Sequence, residues 1–313
     1  MRGYGKIILF GEHAVVYGYP ALATSIDVGV RCKVTSHEYY ELYVPSESLI
    51  ITNEDDHVLG QVFNKILSYF PQKKDYCRIE LFPEIPLGAG LGSSAATSVS
   101  IIRGLLAFHE LHWENTKVNE VAFAAETIFH GTPSGIDNTI ACFGGMCYLR
   151  EANKFPRPQE SYKEIPLQKL TISLMPSLPQ PLSLMIVNTK RERNTKNMVS
   201  KVRRLREKNL NFYDDIMKRI GSFPQQAIEA FGNNNMNVVG ELLNQNQSCL
   251  RELEVSCEEI DFVCEKAIEY GALGAKLTGA GGGGCVIILI SNRNELEKYL
   301  VGHGFEVFYA LCG

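Results

Sequence analysis

The sequence has no excess of positive charge, no long hydrophobic run and no Cys-x-x-Cys pair. Lys and Arg number 31 against 35 Asp and Glu, a formal net charge of −4. Nucleic acid or an anionic membrane therefore finds no overall basic surface to hold it by charge alone, and neither is an expected partner. No stretch reaches the roughly 18 apolar residues of a membrane span. Near the N-terminus, Lys6-Ile7-Ile8-Leu9-Phe10 is interrupted by Gly11-Glu12-His13 and lacks a secretory pattern. The nine cysteines are odd in number, and Cys142/Cys147 and Cys257/Cys264 match no usual zinc spacing. Reduced thiols in a cytoplasmic protein are the expectation. His109-Glu110-Leu111-His112 lacks the His-Glu-x-x-His pattern and reads as a solvated helix end. No internal repeat or low-complexity tract occurs.

What remains is a globular composition, 45% hydrophobic and 21% charged over 313 residues. That length suits one large domain or two ordinary ones. Short β-favouring runs are expected at 6–10, 21–23, 28–35, 41–44 and 78–82, with helices at 58–69, 95–110 and 119–130. Residues 151–182 are rich in proline and polar residues, and read as a surface connection. A boundary is expected between 1–181 and 182–313. The second half then reads as a strand at 182–188, helices at 195–208, 212–220, 224–231, 236–250, 257–270 and 295–301, and strands at 285–290 and 305–309. This mixture predicts a two-domain α+β enzyme.

The richest stretch is Pro86-Leu87-Gly88-Ala89-Gly90-Leu91-Gly92-Ser93-Ser94-Ala95-Ala96-Thr97, between a predicted strand and a predicted helix. Three glycines in five residues let backbone N–H groups turn inward, and the helix N-terminus adds partial positive charge, so the loop suits a phosphate. It is not a Walker loop, because no lysine occurs between Lys74 and Lys117. It is not a dinucleotide fingerprint either, because the glycines are misplaced and Ser-Ser follows them. The plainer alternative is a glycine-rich turn before a helix.

Three more motifs accompany it: Gly5-Lys6-Ile7-Ile8-Leu9-Phe10-Gly11-Glu12-His13-Ala14-Val15-Val16-Tyr17-Gly18, Glu126-x-x-x-His130-Gly131-Thr132-Pro133-Ser134-Gly135-Ile136-Asp137-Asn138, and Lys276-Leu277-Thr278-Gly279-Ala280-Gly281-Gly282-Gly283-Gly284-Cys285. This ordered set, spanning Gly5 to Cys285, resembles the GHMP kinases, and within them the mevalonate kinase family. The resemblance implies an N-terminal domain like ribosomal protein S5 domain 2 and a ferredoxin-like C-terminal domain. It also implies ATP- and Mg²⁺-dependent phosphorylation of the C5 hydroxyl of (R)-mevalonate. Phosphomevalonate kinase activity, or an inactive ligand-binding regulator on the same scaffold, is the alternative. The oligomeric state is left open, with a homodimer as one expectation.

By resemblance, Gly88, Ala89, Gly90, Leu91, Gly92, Ser93 and Ser94 bind the ATP phosphates, and Ser94 and Glu126 hold Mg²⁺, a hard cation that favours oxygen ligands. Glu126 is otherwise a surface helix residue. Asp137 is the candidate base, paired with Lys6, which also stabilises charge on the transferring phosphoryl group. The alternatives are a turn cap for Asp137 and an ordinary strand residue for Lys6. Glu12 and His13 match the substrate end. The apolar Ala14-Val15-Val16-Tyr17 that follows suits mevalonate, where galactokinases carry Thr-Asp-Tyr. In Asn188-Thr189-Lys190-Arg191-Glu192-Arg193-Asn194-Thr195, Thr195 matches a threonine near substrate, and Arg193 either pairs with a carboxylate or belongs to a solvated charge run. The tetraglycine loop is expected to buttress the site. Only four residues precede Gly5, so a short first strand is expected.

Overall fold

The computed structural model describes the chain except residues 72–74, 87, 132, 160, 168, 169, 177, 179 and 193. The described residues form twelve strands and nine α-helices and divide into two compact units, each assembled from separate stretches of chain.

The first unit comprises Met1–Lys6, Ser25–Leu87 and Gly92–Gly144. It holds the start of β1 (Arg2–Phe10), most of β2 (Ala21–Ser36), and β3 (Glu41–Val44), β4 (Leu49–Thr52), α1 (Val58–Leu67), β5 (Cys77–Pro83), α2 (Ser93–Phe108), α3 (Asn115–His130) and α4 (Ile136–Phe143). β5 runs antiparallel to β2 and parallel to β3, and β3 forms a hairpin with β4. Cys77, Ile79 and Leu81 alternate inward along β5, as a half-buried strand requires. They join one core with Val62, Phe63 and Ile66 of α1 and the apolar face of α2. Gly104 lets α2 lie close on β2, since a Cβ there would meet Cys32 Sγ at 2.8 Å.

The second unit comprises Ile7–Thr24, Gly88–Leu91 and Gly145–Gly313. In it, β6 (Met146–Arg150) pairs with the start of β2 and with β8 (Thr171–Leu174), which also pairs with β7 (Lys163–Pro166). The start of β2, with which β6 pairs, belongs to this unit as well. Then follow β9 (Leu182–Asn188), α5 (Thr195–Lys208), α6 (Leu210–Gly232), α7 (Met236–Glu252), α8 (Glu258–Glu269), β10 (Gly274–Leu277), β11 (Cys285–Leu289), α9 (Asn294–Gly302) and β12 (Glu306–Cys312). Four of these strands form an antiparallel sheet in the order β10-β11-β9-β12. Taken in chain order that is 2-3-1-4, the split βαβ arrangement of a ferredoxin-like domain.

Several elements depart from the sequence expectation. β1 starts at Arg2 and is not short. β2 is one strand where two were expected, because Thr24, Ser25 and Ile26 are buried and continue the pairing through the polar interruption. α6 is continuous through Pro224, which sits buried between Phe223 and Ala227, so packing overrides the missing amide donor. α4 and β10 were not anticipated, being short and opened by glycines. His109, expected on a solvated face, is buried against the Phe70 and Phe108 rings, whereas His112 is exposed.

Candidate active site

The first unit gathers charged side chains from β1, α2, α3 and α4. Lys6 comes from β1, with Nζ 3.1 Å from Asp137 Oδ1; the lysine side chain is 9% exposed and the aspartate 36%. Asp137 lies in the first turn of α4, whose start Gly135 allows by adopting a left-handed φ of 82°. That turn is braced onto α3. Asn138 Nδ2 donates to Asn119 Oδ1 at 2.6 Å, Asn119 Nδ2 donates to Thr139 Oγ1 at 3.2 Å, and Thr139 Oγ1 donates to the Gly135 carbonyl at 2.7 Å. Asn119 thus ties the helix carrying Asp137 to the helix carrying Glu126.

Ser94, in the first turn of α2, donates from Oγ to Glu126 Oε2 at 3.2 Å. His130, one turn beyond Glu126 on α3, places Nε2 3.2 Å from the same hydroxyl and 3.6 Å from Glu126 Oε2. Glu126 is buried, and its Oε1 has no hydrogen-bond partner among the described residues. Burial, then the nearby Asp137, pushes its carboxyl up to about 8, against the opposing pull of the Ser94 hydroxyl and Lys6. A buried carboxylate with one unsatisfied oxygen and a hydroxyl beside it suits a hard cation. Among the described residues no three His, Cys, Asp or Glu side chains form a metal cage. Mg²⁺ takes one or two carboxylates and completes its shell with water and phosphate oxygens, so the Glu126 carboxylate and the Ser94 hydroxyl are donors that suit it.

The glycine loop has the backbone that its composition implies. Gly88, Gly90 and Gly92 have φ of 70°, 87° and 74°. Gly92 caps α2 with no side-chain hydrogen bond, which leaves the first-turn amides of the helix without intrahelical acceptors. A Cβ at Gly92 would meet Lys6 Cγ at 2.9 Å, so the glycine also makes room for the lysine.

The second unit builds a different cluster. After β1, Gly11 turns the chain at φ 98°, and a Cβ there would meet Ala21 Cα at 2.4 Å. Glu12 and His13 follow. Both carboxylate oxygens of Glu12, expected among the substrate ligands, are engaged inside the protein: Oε1 by the Lys276 ammonium and Oε2 by Asn246 Nδ2 at 3.0 Å. Lys276 and Glu12 side chains are both 0% exposed. Sequence reasoning missed Lys276 as a partner, because the residue stood only as the start of the glycine motif. His13 adopts a left-handed φ of 60° and places Nε2 2.9 Å from the Ala280 carbonyl oxygen. Burial holds its imidazole below the ordinary value, against the opposing hydrogen bond to Ala280 and the Glu12 charge. Ala14–Tyr17 then forms a 3-10 turn.

The tetraglycine loop is closely packed at three of its glycines. A Cβ at Gly281, Gly282 or Gly283 would meet the Val255 carbonyl oxygen at 2.1 Å, Met198 Sδ at 2.8 Å or the Arg191 carbonyl oxygen at 2.6 Å. Thr195 opens α5 and is exposed, next to Asn194, whose side chain accepts from Asn197 N at 2.9 Å and caps the helix. Arg191 forms a two-pronged contact with Glu259 at 3.1 and 2.8 Å. Arg193 lies outside the described residues.

Known proteins resemble this chain along nearly its whole length. The family description GHMP kinases N terminal domain matches residues 57–145, and GHMP kinases C terminal matches 227–300. Mevalonate kinase of Archaeoglobus fulgidus is 32% identical, across 95% of this chain and 94% of its own. Mevalonate kinase of Schizosaccharomyces pombe is 30% identical, across 94% of this chain and 83% of its own. The crystal structure of L. major mevalonate kinase in complex with R-mevalonate superposes with a TM-score of 0.83 at 27% identity, covering 99% of this chain and 94% of that one. The Methanococcus jannaschii mevalonate kinase structure gives 0.84 at 25% identity, covering 100% and 98%. The chain belongs to the GHMP kinases, and within them to the mevalonate kinase family.

Proposed function

We propose that the protein transfers the terminal phosphoryl group of ATP to the C5 hydroxyl of (R)-mevalonate, with Mg²⁺, giving 5-phosphomevalonate and ADP. The observation that carries this reading is the Lys6–Asp137 pair, in the same unit as Ser94 bonded to the buried Glu126, whose Oε1 has no hydrogen-bond partner among the described residues. Phosphoryl transfer needs phosphate binding, a metal, a positioned hydroxyl and positive charge near the transferring group. Each has a candidate residue here.

The backbone N–H groups of 88–94 and the start of α2 bind the nucleotide phosphates. Ser94 Oγ and Glu126 Oε1 hold Mg²⁺, which when bound offsets phosphate charge. Asp137 orients the acceptor hydroxyl and accepts its proton. Lys6 holds Asp137 and faces the charge that develops on the phosphoryl oxygens. Because such transition states are largely dissociative, positioning by Asp137 and Lys6 matters more than strong basicity. His13 and Thr195 contact the acceptor, Glu12 supports His13 from behind, and Arg193 pairs with the acceptor's carboxylate. The apolar turn Ala14–Tyr17 favours a methyl-bearing chain over a sugar. No helix of the described residues is long and apolar enough to cross a membrane, and all nine cysteines are free thiols. The thiols support a cytoplasmic enzyme. A homodimer is the assembly proposed.

The test is a coupled ADP-release assay with mevalonate, phosphomevalonate, galactose and homoserine as acceptors. Turnover with mevalonate far above the other three supports the reading, and preference for another acceptor overturns it.

A further inference from the structure

Three alternate residues of one segment grip β1 and the turn that follows it. Lys276 reaches Glu12, Thr278 Oγ1 accepts from Ile8 N at 2.9 Å and donates to Ile8 O at 3.0 Å, and the Ala280 carbonyl oxygen lies 2.9 Å from His13 Nε2. We infer that Lys276 is a positioning residue for the phosphoryl acceptor: through its buried contact with Glu12 it fixes the Gly11–His13 turn, and so the direction in which His13 presents its ring. This rests on the proposed acceptor role of His13.

A fully buried ion pair is a poor way to gain stability, since well-packed apolar residues of like volume do as well or better. What it supplies is a directional contact between two fixed points. Lys276 is such a point. Its strand, β10, is held by α7: Asn244 Oδ1 accepts from Ala275 N at 3.0 Å, and Gln247 Oε1 accepts from Leu277 N at 3.0 Å. The backbones of α7 and β10 nearly touch, because a Cβ at Gly274 would meet the Gly240 carbonyl oxygen at 2.2 Å. Lys276 Nζ also donates to its neighbour's carbonyl, Leu277 O, at 2.6 Å, which limits its rotation. Asn246, also on α7, holds the second Glu12 oxygen.

The turn needs this hold. A non-glycine residue in the left-handed region is strained and persists only where its surroundings over-determine it. At His13 the surroundings are the Ala280 carbonyl on the ring side and the Glu12 clamp on the chain side. Gly11 itself packs closely on Ala21. Without the clamp, the ring hydrogen bond and the local backbone bonds of the turn are left to oppose relaxation of the His13 backbone.

The test compares wild type with the neutral double variant Glu12→Gln/Lys276→Met, which leaves no lone buried charge. Melting temperature, KM for ATP and KM for mevalonate are measured at saturating Mg²⁺. The expected result is a folded enzyme with nucleotide KM nearly unchanged and acceptor KM raised about tenfold or more. Wild-type kinetics in the double variant overturn the inference. So does an equal rise in both KM values with a lowered melting point, the mark of a merely structural pair. If the double variant does not fold, Asn246→Ser decides: it removes one donor to Glu12 and should raise acceptor KM alone, and unchanged acceptor KM overturns the inference. The ring ¹⁵N signals of His13 separate this inference from the proposed function. If wild type proves inactive on mevalonate, loss of the fixed Nε2 hydrogen bond in the variants still supports the clamp, and unchanged signals still refute it.

Discussion

Lys6 Nζ lies 3.1 Å from Asp137 Oδ1, with the lysine almost fully buried and the carboxylate partly open. The pair joins a strand to the first turn of a helix more than a hundred residues further along the chain. If the two residues act as one unit in phosphoryl transfer, their substitutions should not multiply. Asp137→Asn keeps the shape and removes the base, and a loss in kcat of about 10²–10⁴-fold is expected. Lys6→Met should also lower kcat. The double variant should fall well short of the product of the two losses. Thermal melting of each variant checks folding first, since Lys6 sits within a core strand. Near-normal kcat in folded Asp137→Asn removes that residue from the chemistry, and strictly multiplicative losses separate the pair.

Gly92 and Gly88 provide a matched comparison within one loop. Both have left-handed φ, so alanine at either position should cost about 1 kcal/mol of stability. At Gly92 the new Cβ would meet Lys6, at 2.9 Å, while a Cβ at Gly88 would meet nothing within 4 Å among the described residues. Gly92→Ala is expected to lower kcat further than Gly88→Ala at comparable melting temperatures. Equal kcat in the two variants counts against contact between this cap and the lysine as a functional constraint.

Glu126→Gln keeps the oxygen and removes the charge. Its expected effect is a higher Mg²⁺ requirement and weaker Mg²⁺-nucleotide use, partly restored at high Mg²⁺. Titration of the metal at fixed ATP measures this directly. A Mg²⁺ dependence identical to wild type excludes Glu126 as a ligand.

The same residue makes a metal-free pH dependence. Its carboxyl, ordinarily near 4.5, is pushed up to about 8 by burial and then by Asp137. Between those values the folded state binds more protons than the unfolded one, so stability falls as pH rises. This contribution is complete below the ordinary value and lost as pH passes the raised one. Thermal melts in chelator, from about pH 6 to about pH 9, should therefore decline more steeply for wild type than for Glu126→Gln. Parallel curves contradict the buried proton. Mg²⁺ binding near neutral pH should release protons, which calorimetry in two buffers of different ionisation enthalpy detects.

Local motifs made much of this legible in the sequence. The left-handed glycines before α2 follow from composition, since three closely spaced glycines ahead of two serines leave few other backbones. The proximity of Lys6 to Asp137 and of Ser94 to Glu126 was implied by the family resemblance alone, because no local rule joins residues so far apart. The Lys276 contact was not legible. A lysine in a glycine-rich motif reads as exposed, and only the packing of α7 against β10 shows it to be buried. The Asn119 brace was hidden for a similar reason, as helix polar residues normally face solvent. Pro224 misled because its intrinsic preference is against helix, while its neighbours Phe223 and Ala227 are buried and carry α6 through. β10, four residues long and starting with glycine, carries too little pattern to be recognised alone.

The most direct measurement is the position of the phosphate in the product. The protein is incubated with ATP, Mg²⁺ and (R)-mevalonate, and the product is examined by ³¹P–¹H correlation. The account expects one new phosphate ester, its phosphorus coupled to the C5 methylene protons, formed together with ADP and absent with Asp137→Asn over the same time. A product phosphorylated elsewhere, or ATP and mevalonate both left unchanged, contradicts it.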